Sequence, residues 1–121
     1  MNWYLAKVVY RIICGNGEHT AQFDEQLRLI YAFNHDEAFT KASDIGVKEQ
    51  ETFYNEKSQI VRWEFVNVSE IHPLNHLVNG AELYSRINEV DDAEAYTELV
   101  HHKASYLRER QPEFIDLIQN N

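Results

Sequence analysis

The stretch Trp3-Tyr4-Leu5-Ala6-Lys7-Val8-Val9-Tyr10-Arg11-Ile12-Ile13 decides how the rest of the chain is read. Tyr4, Ala6, Val8, Tyr10 and Ile12 share one side of a period-two pattern, with Lys7 and Arg11 among the residues opposite, so this is a strand with one drier face. Gly15, Asn16 and Gly17 follow, residues that tolerate positive φ, and then a second alternating run from Phe23 through Glu25, Leu27, Leu29 and Tyr31. Together they predict an antiparallel hairpin with a longish loop. Phe23, Leu27 and Leu29 are expected on its buried face, which places Glu25 in register with them.

Working outward, Asn34 is a good N-cap and Glu37 stands three residues on, so a helix is predicted to start there. Ala38, Ala42 and Ile45 form its apolar face, Phe39 widens it, and Gly46 is placed to end it in a left-handed cap. Phe53 and Tyr54 anchor a weak strand. Val61, Trp63 and Phe65 alternate with Arg62, Glu64 and Val66 in a stronger one that should sit centrally and end at His72, Pro73 and Leu74. Asn79 and Gly80 signal a turn before a last alternating run, Ala81, Leu83, Ser85 and Ile87.

Glu89, Asp91, Asp92, Glu94 and Glu98 then open a long helix that Lys103, Arg108 and Arg110 close, a gradient suited to both ends of the helix dipole. Its stripe of Ala93, Tyr96, Val100, Ala104 and Leu107 is expected to lie on the sheet. Pro112 suits the first turn of a second short helix to Ile118, and Phe114, Ile115, Leu117 and Ile118 need a docking surface on the chain's own sheet or on a neighbouring subunit. The predicted fold is α+β: an antiparallel sheet of about five strands with helices packed on one face, in the order β-β-α-β-β-β-α-α, forming a single domain over residues 1–121.

Composition bounds what such a domain does. At 121 residues, 44% hydrophobic and 12% aromatic, the chain buries roughly two-thirds of its unfolded surface. Twenty acidic against eleven basic residues give a formal charge of -9, which repels phosphate backbones and anionic membranes. Nucleic acid and membrane are therefore not expected as partners. No run approaches the roughly 18 apolar residues of a membrane helix, Lys7 and Arg11 interrupt any signal-peptide core, and the single Cys14 suits a reducing cytoplasm. An uncovered sheet face or edge makes self-association, most simply as a homodimer, the default expectation.

No catalytic constellation is legible. His72 and His76 are four apart, but Pro73 works against the helix that would align them as metal ligands, and no glutamate completes a metalloprotease motif. His101 and His102 are adjacent, about 100° apart on a helix. Cys14 with His19 is the bare minimum for a thiol nucleophile, and the four glycines at 15, 17, 46 and 80 make no phosphate loop. Neither a metal nor a cofactor is expected. The charges on apolar-rich strands stand out more: Lys7, Arg11, Glu25, Arg62, Glu64 and Glu82 each need water or a partner. Cross-strand pairs of Lys7 or Arg62 with Glu25 or Glu82 would satisfy them structurally. A polar pocket rimmed by Trp63 and Tyr84 would use them functionally, so Lys7, Glu25, Arg62, Trp63, Glu82 and Tyr84 are the candidate ligand-binding residues.

Asn2-Trp3-Tyr4 with Ala6-Lys7, Gln22-Phe23-Asp24-Glu25-Gln26, Glu37-Ala38 with Lys41-Ala42 and Gly46, Trp63-Glu64-Phe65-Val66 with Val68, and Gly80-Ala81-Glu82-Leu83-Tyr84-Ser85 resemble the bacterial domain-of-unknown-function family 4288, up to about Arg110. The resemblance implies a small cytoplasmic bacterial protein, usually a stand-alone domain, and carries no catalytic residues with it. The leading expectation is a non-enzymatic binding or regulatory module acting as a homodimer and meeting a protein or small ligand. Two alternatives stand beside it: a small enzyme or ligand pocket using Glu25 or Glu82 near Trp63, and an acidic partner that masks a basic surface through residues 89–98.

Overall fold

The computed structural model describes the backbone of residues 1–119 and side chains as far as Glu109. The chain divides into two compact units, Met1–Ser85 and Arg86–Asn121. The first holds strands β1 (Asn2–Cys14) and β2 (Gln22–Ala32), helix α1 (His35–Lys48), and strands β3 (Glu51–Tyr54) and β4 (Ile60–Leu74). The second holds helix α2 (Ala93–Gln119). The class is α+β, with four antiparallel strands in the order β2-β1-β4-β3.

The β1–β2 hairpin forms as its pattern predicts, pairing Asn2 with Ala32 at one end and Ile12 with Gln22 at the other. Gly15 and Gly17 take positive φ in the loop, at 59° and 82°, and His19 Nε2 accepts a hydrogen bond from the Cys14 amide at 3.0 Å. β4 is central, lying between β1 and β3. Two register shifts against β1, between Lys7 and Val8 and between Val9 and Tyr10, mark bulges that sharpen the local bend.

α1 starts where the sequence places it, with Asn34 Oδ1 accepting from the Glu37 amide at 2.8 Å. Glu37 spends its carboxylate on Lys41, 3.0 Å away, and Lys41 also donates to the Tyr31 carbonyl at 2.7 Å. Ala38, Ala42 and Gly46 are buried beneath the helix, against Tyr4, Ala6, Val8 and Tyr10 of β1 and Ile30 and Ala32 of β2. Phe39 lies mostly outside this layer, at 40% exposure. Small residues at the contact bring helix and sheet backbones close.

Gly46 has a different role from the one its position suggested. The helix continues past it to Lys48 and is capped by Glu49 with φ at -97°, so no left-handed glycine ends it. A Cβ at Gly46 would overlap the Phe65 ring, and the Gly46 carbonyl accepts the Tyr10 hydroxyl at 2.8 Å. The glycine is required by close approach of helix to sheet, a tertiary reason that local pattern does not encode.

Three further expectations need correction. The sheet has four strands rather than about five: Asn79-Gly80 does turn, with Gly80 at φ 86° and Ala81 N donating to Val78 O at 3.0 Å, but 81–87 joins no ladder. β1 is flanked by β2 and β4, and β3 takes one side of β4. The segment instead brings Tyr84 onto the His72 ring. Second, β2 presents the opposite face to the core: Phe23, Leu27 and Leu29 are 55%, 54% and 52% exposed, while Ile30 and Ala32 are buried. A one-residue parity decides which half of an alternating strand meets a helix.

The third correction concerns the C-terminal helix, which runs as one element across Pro112. A proline removes one helical hydrogen bond, and here the backbone stays helical on both sides of it. Asp92 caps its start, its Oδ1 accepting from the Ala95 amide at 3.0 Å. Tyr96, Val100 and Leu107 of the apolar stripe are about half exposed. Where Phe114, Ile115, Leu117 and Ile118 dock lies outside the described side chains. No described helix is long and apolar enough to cross a membrane.

Candidate functional site

The strands set out two unlike surfaces. On the side away from α1, Lys7 lies opposite Glu70 in register, its ammonium 2.7 Å from one Glu70 oxygen and 3.8 Å from Glu25. His72 Nε2 is 3.1 Å from the other Glu70 oxygen. The Tyr84 ring sits 5.1 Å from the His72 ring and 5.9 Å from the Lys7 ammonium, within reach of a cation–π contact. The hydrogen bond from Lys7 holds the Glu70 carboxyl below its ordinary value, with bonds from His72 and Tyr84 adding to it. The same bond raises the Lys7 amine, assisted by the charges of Glu70 and Glu25.

Of the six candidate residues, the fold thus brings Lys7, Glu25 and Tyr84 together and adds Glu70 and His72. Arg62 pairs along its own strand with Glu64 at 3.1 Å. Glu82 is exposed past the Gly80 turn and enters none of these contacts. Trp63 packs against the helix-side core, whereas Glu25 faces Lys7 on the other side, so those two line no common pocket. Glu25 is 62% exposed at its side chain; it is a surface partner of Lys7 rather than an acid in an apolar enclosure.

One concave site is on the helix side, where α1 ends short of the full sheet; a wider, more open hollow of about 700 Å³ lies at the hairpin loop around Cys14, His19 and Gln59. On the helix side a cleft of about 240 Å³ is lined by Tyr10, Gln26, Arg28, Glu49, Glu51, Phe53 and Trp63. Its wall is aromatic: Phe53 and Trp63 stack with centroids 5.8 Å apart and planes 25° apart. Its rim is a chain of polar contacts. Trp63 Nε1 donates to Asp24 Oδ2 at 3.2 Å, Gln26 Nε2 donates to the same oxygen at 2.6 Å, Arg28 donates to Gln26 Oε1 at 2.7 and 3.1 Å, and Arg28 meets Glu49 at 3.1 Å.

Local sequence explains each position. Asp24, Gln26 and Arg28 alternate on β2, so once Ile30 and Ala32 face the helix these three must face the same way. Glu49 arrives as the C-cap of α1, and Gln50 then ties the turn to β4 by accepting from the Phe65 amide at 2.9 Å. Burial raises the Tyr10 hydroxyl above its ordinary value, with the Glu49 charge next in effect, then the opposing charge of Arg28. Sequence reading found Trp63 and missed the others. The signal was present as the polar half of β2, which resembles a solvated face until the helix chooses its side.

Asp24 and Gln26 belong to one, and Trp63 to another, of the segments through which the chain resembles a known family. No curated protein and no solved structure matches the chain. The model of the domain of unknown function DUF4288 matches residues 3–85, stopping where the first compact unit ends and short of the Arg110 to which the resemblance reached. That match spans well over half of the sequence, and the chain therefore belongs to the DUF4288 family.

Proposed function

We propose that this chain is a non-enzymatic binding module that self-associates along the outer edge of β2, where the apolar side chains on the open side of that strand meet those of a second copy across the new strand pair. The observation that carries the reading is a line of apolar side chains on the outermost strand: Phe23, Leu27, Leu29 and Tyr31 are each about half exposed, and Trp3 packs on Tyr31 with centroids 4.7 Å apart. Contiguous exposed apolar surface marks interaction sites. The outer edge of β2 also has no strand partner among the described residues, and an unpaired edge templates pairing with another chain.

A second copy fits this edge by symmetry. With Leu27 on a two-fold axis, antiparallel β2 strands would set Phe23 opposite Tyr31 of the second copy, and Glu25 opposite its Leu29. Such an arrangement is self-complementary, as an isologous dimer interface must be. Sedimentation or light scattering should report a dimer at high micromolar concentration, and Leu27→Lys should give a folded monomer. A wild-type chain that stays monomeric there would remove the reading.

A further inference from the structure

The helix-side cleft supports an inference separate from self-association. We propose that it is a binding site for an organic cation, an ammonium or guanidinium group on a short apolar stem. The cavity volume of about 240 Å³ is below the usual range for drug-sized ligands and matches a small amine or one basic side chain. The stacked Phe53–Trp63 pair supplies an aromatic wall, whose π faces attract cations.

Charge in the cleft favours the same sign of ligand. The one cation among its described lining residues, Arg28, is already held by Glu49 and Gln26. Glu51 stands beside the aromatic pair, opposite Trp63 in register; its carboxylate makes no side-chain hydrogen bond or ion pair among the described residues, and its charge adds to the rise of the Tyr10 hydroxyl. The C-terminal end of α1 reaches the cleft through its cap, Glu49, and that end of a helix carries partial negative charge. A bound ammonium would place its head at Glu51 and Glu49 and its stem along Phe53. An anion would have to displace Glu49 from Arg28.

The test is a titration of isotope-labelled protein followed at the Trp63 indole N–H resonance. Butylammonium and butylguanidinium are the probes, and butyrate and 1-butanol are isosteres of opposite and zero charge. Saturable shifts with both cations and with neither isostere are expected. Glu51→Gln and Phe53→Ala, both at exposed positions of β3, should each weaken binding about fivefold, the worth of one exposed ion pair or cation–π contact. Leu27→Lys, on the opposite face, should leave the titration unchanged whatever it does to oligomeric state.

Butyrate binding as well as butylammonium, butanol binding equally, or no saturable shift with any probe would each overturn the proposal. A lysine blocked at both ends that binds as tightly as butylammonium would identify a peptide-borne side chain as the source. Much weaker binding by the blocked lysine, with butylammonium still bound, would identify a free small amine.

Discussion

The two faces of one sheet make an instructive pair. On the helix side, β1 contributes Tyr4, Ala6, Val8 and Tyr10, all buried, and order comes from volume: small residues in α1, one glycine under a ring, and aromatic side chains filling the remainder. On the open side the same strand contributes Lys7, Val9 and Arg11, together with Leu5, which is buried there as well. There order comes from charge, through Lys7, Glu70 and His72 beneath Tyr84, beside apolar residues left half exposed. Adjacent residues of one strand thus answer to different physics, and substitutions should separate the two.

The largest effect is expected at the helix–sheet contact. Gly46→Val would drive a branched side chain into the Phe65 ring and should cost about 2–3 kcal/mol, as overpacking of a tight contact does, read as a lowered urea midpoint at unchanged slope. Val8→Ala empties space that is fully buried and should cost about 2 kcal/mol; a loss below a few tenths would mean that this face is less closely packed than described. Tyr10→Phe removes the hydroxyl that donates to Gly46 and should cost about 1 kcal/mol, as should Asn34→Ala at the cap of α1.

On the open face the same denaturation experiments should register far less. Leu27→Lys should shift the stability of the monomer by no more than about 0.5 kcal/mol, as at surface positions generally, while changing its association.

The smallest effect belongs to the charged cluster and shows in its pH dependence. Glu70 is lowered from 4.5 by its hydrogen bond with Lys7, so its contribution is present above that value and is lost as pH falls through the lowered one. Lys7 is raised from 10.5 by the same bond, so its contribution is present below 10.5 and is lost as pH rises through the raised value. Glu70→Gln should flatten the acid limb of a plot of urea midpoint against pH. An unchanged acid limb would show that the pair contributes nothing.

How much of this was legible follows from range. The β1–β2 hairpin, the Asn34 cap and the central place of Val61, Trp63 and Phe65 rest on neighbours in sequence or on unmistakable alternation, and all of them appear in the fold. The face of β2 was misread because its two halves are both plausible interiors: one offers Phe23, Leu27 and Leu29, the other Ile30 and Ala32. Ala81 to Ile87 alternates as a strand does but joins no ladder, although the outer edge of β2 has no strand partner among the described residues: alternation describes a segment and does not by itself supply pairing. The cleft was invisible except for Trp63. Asp24, Gln26, Arg28, Glu49 and Phe53 come from three elements, and each alone has an ordinary surface role.

What the amino-acid order determined by itself was the set of short-range commitments: where the chain turns, where α1 begins, and which positions along each strand share a side. Backbone dihedral preference and the two-residue strand period act within a few residues, so they are written locally. Which side became interior was decided when α1 settled over β1 and β2, because burial depends on what lies across the gap. That choice placed Gly46 under Phe65, turned the polar half of β2 into the rim of a cleft, and left the apolar half facing outward.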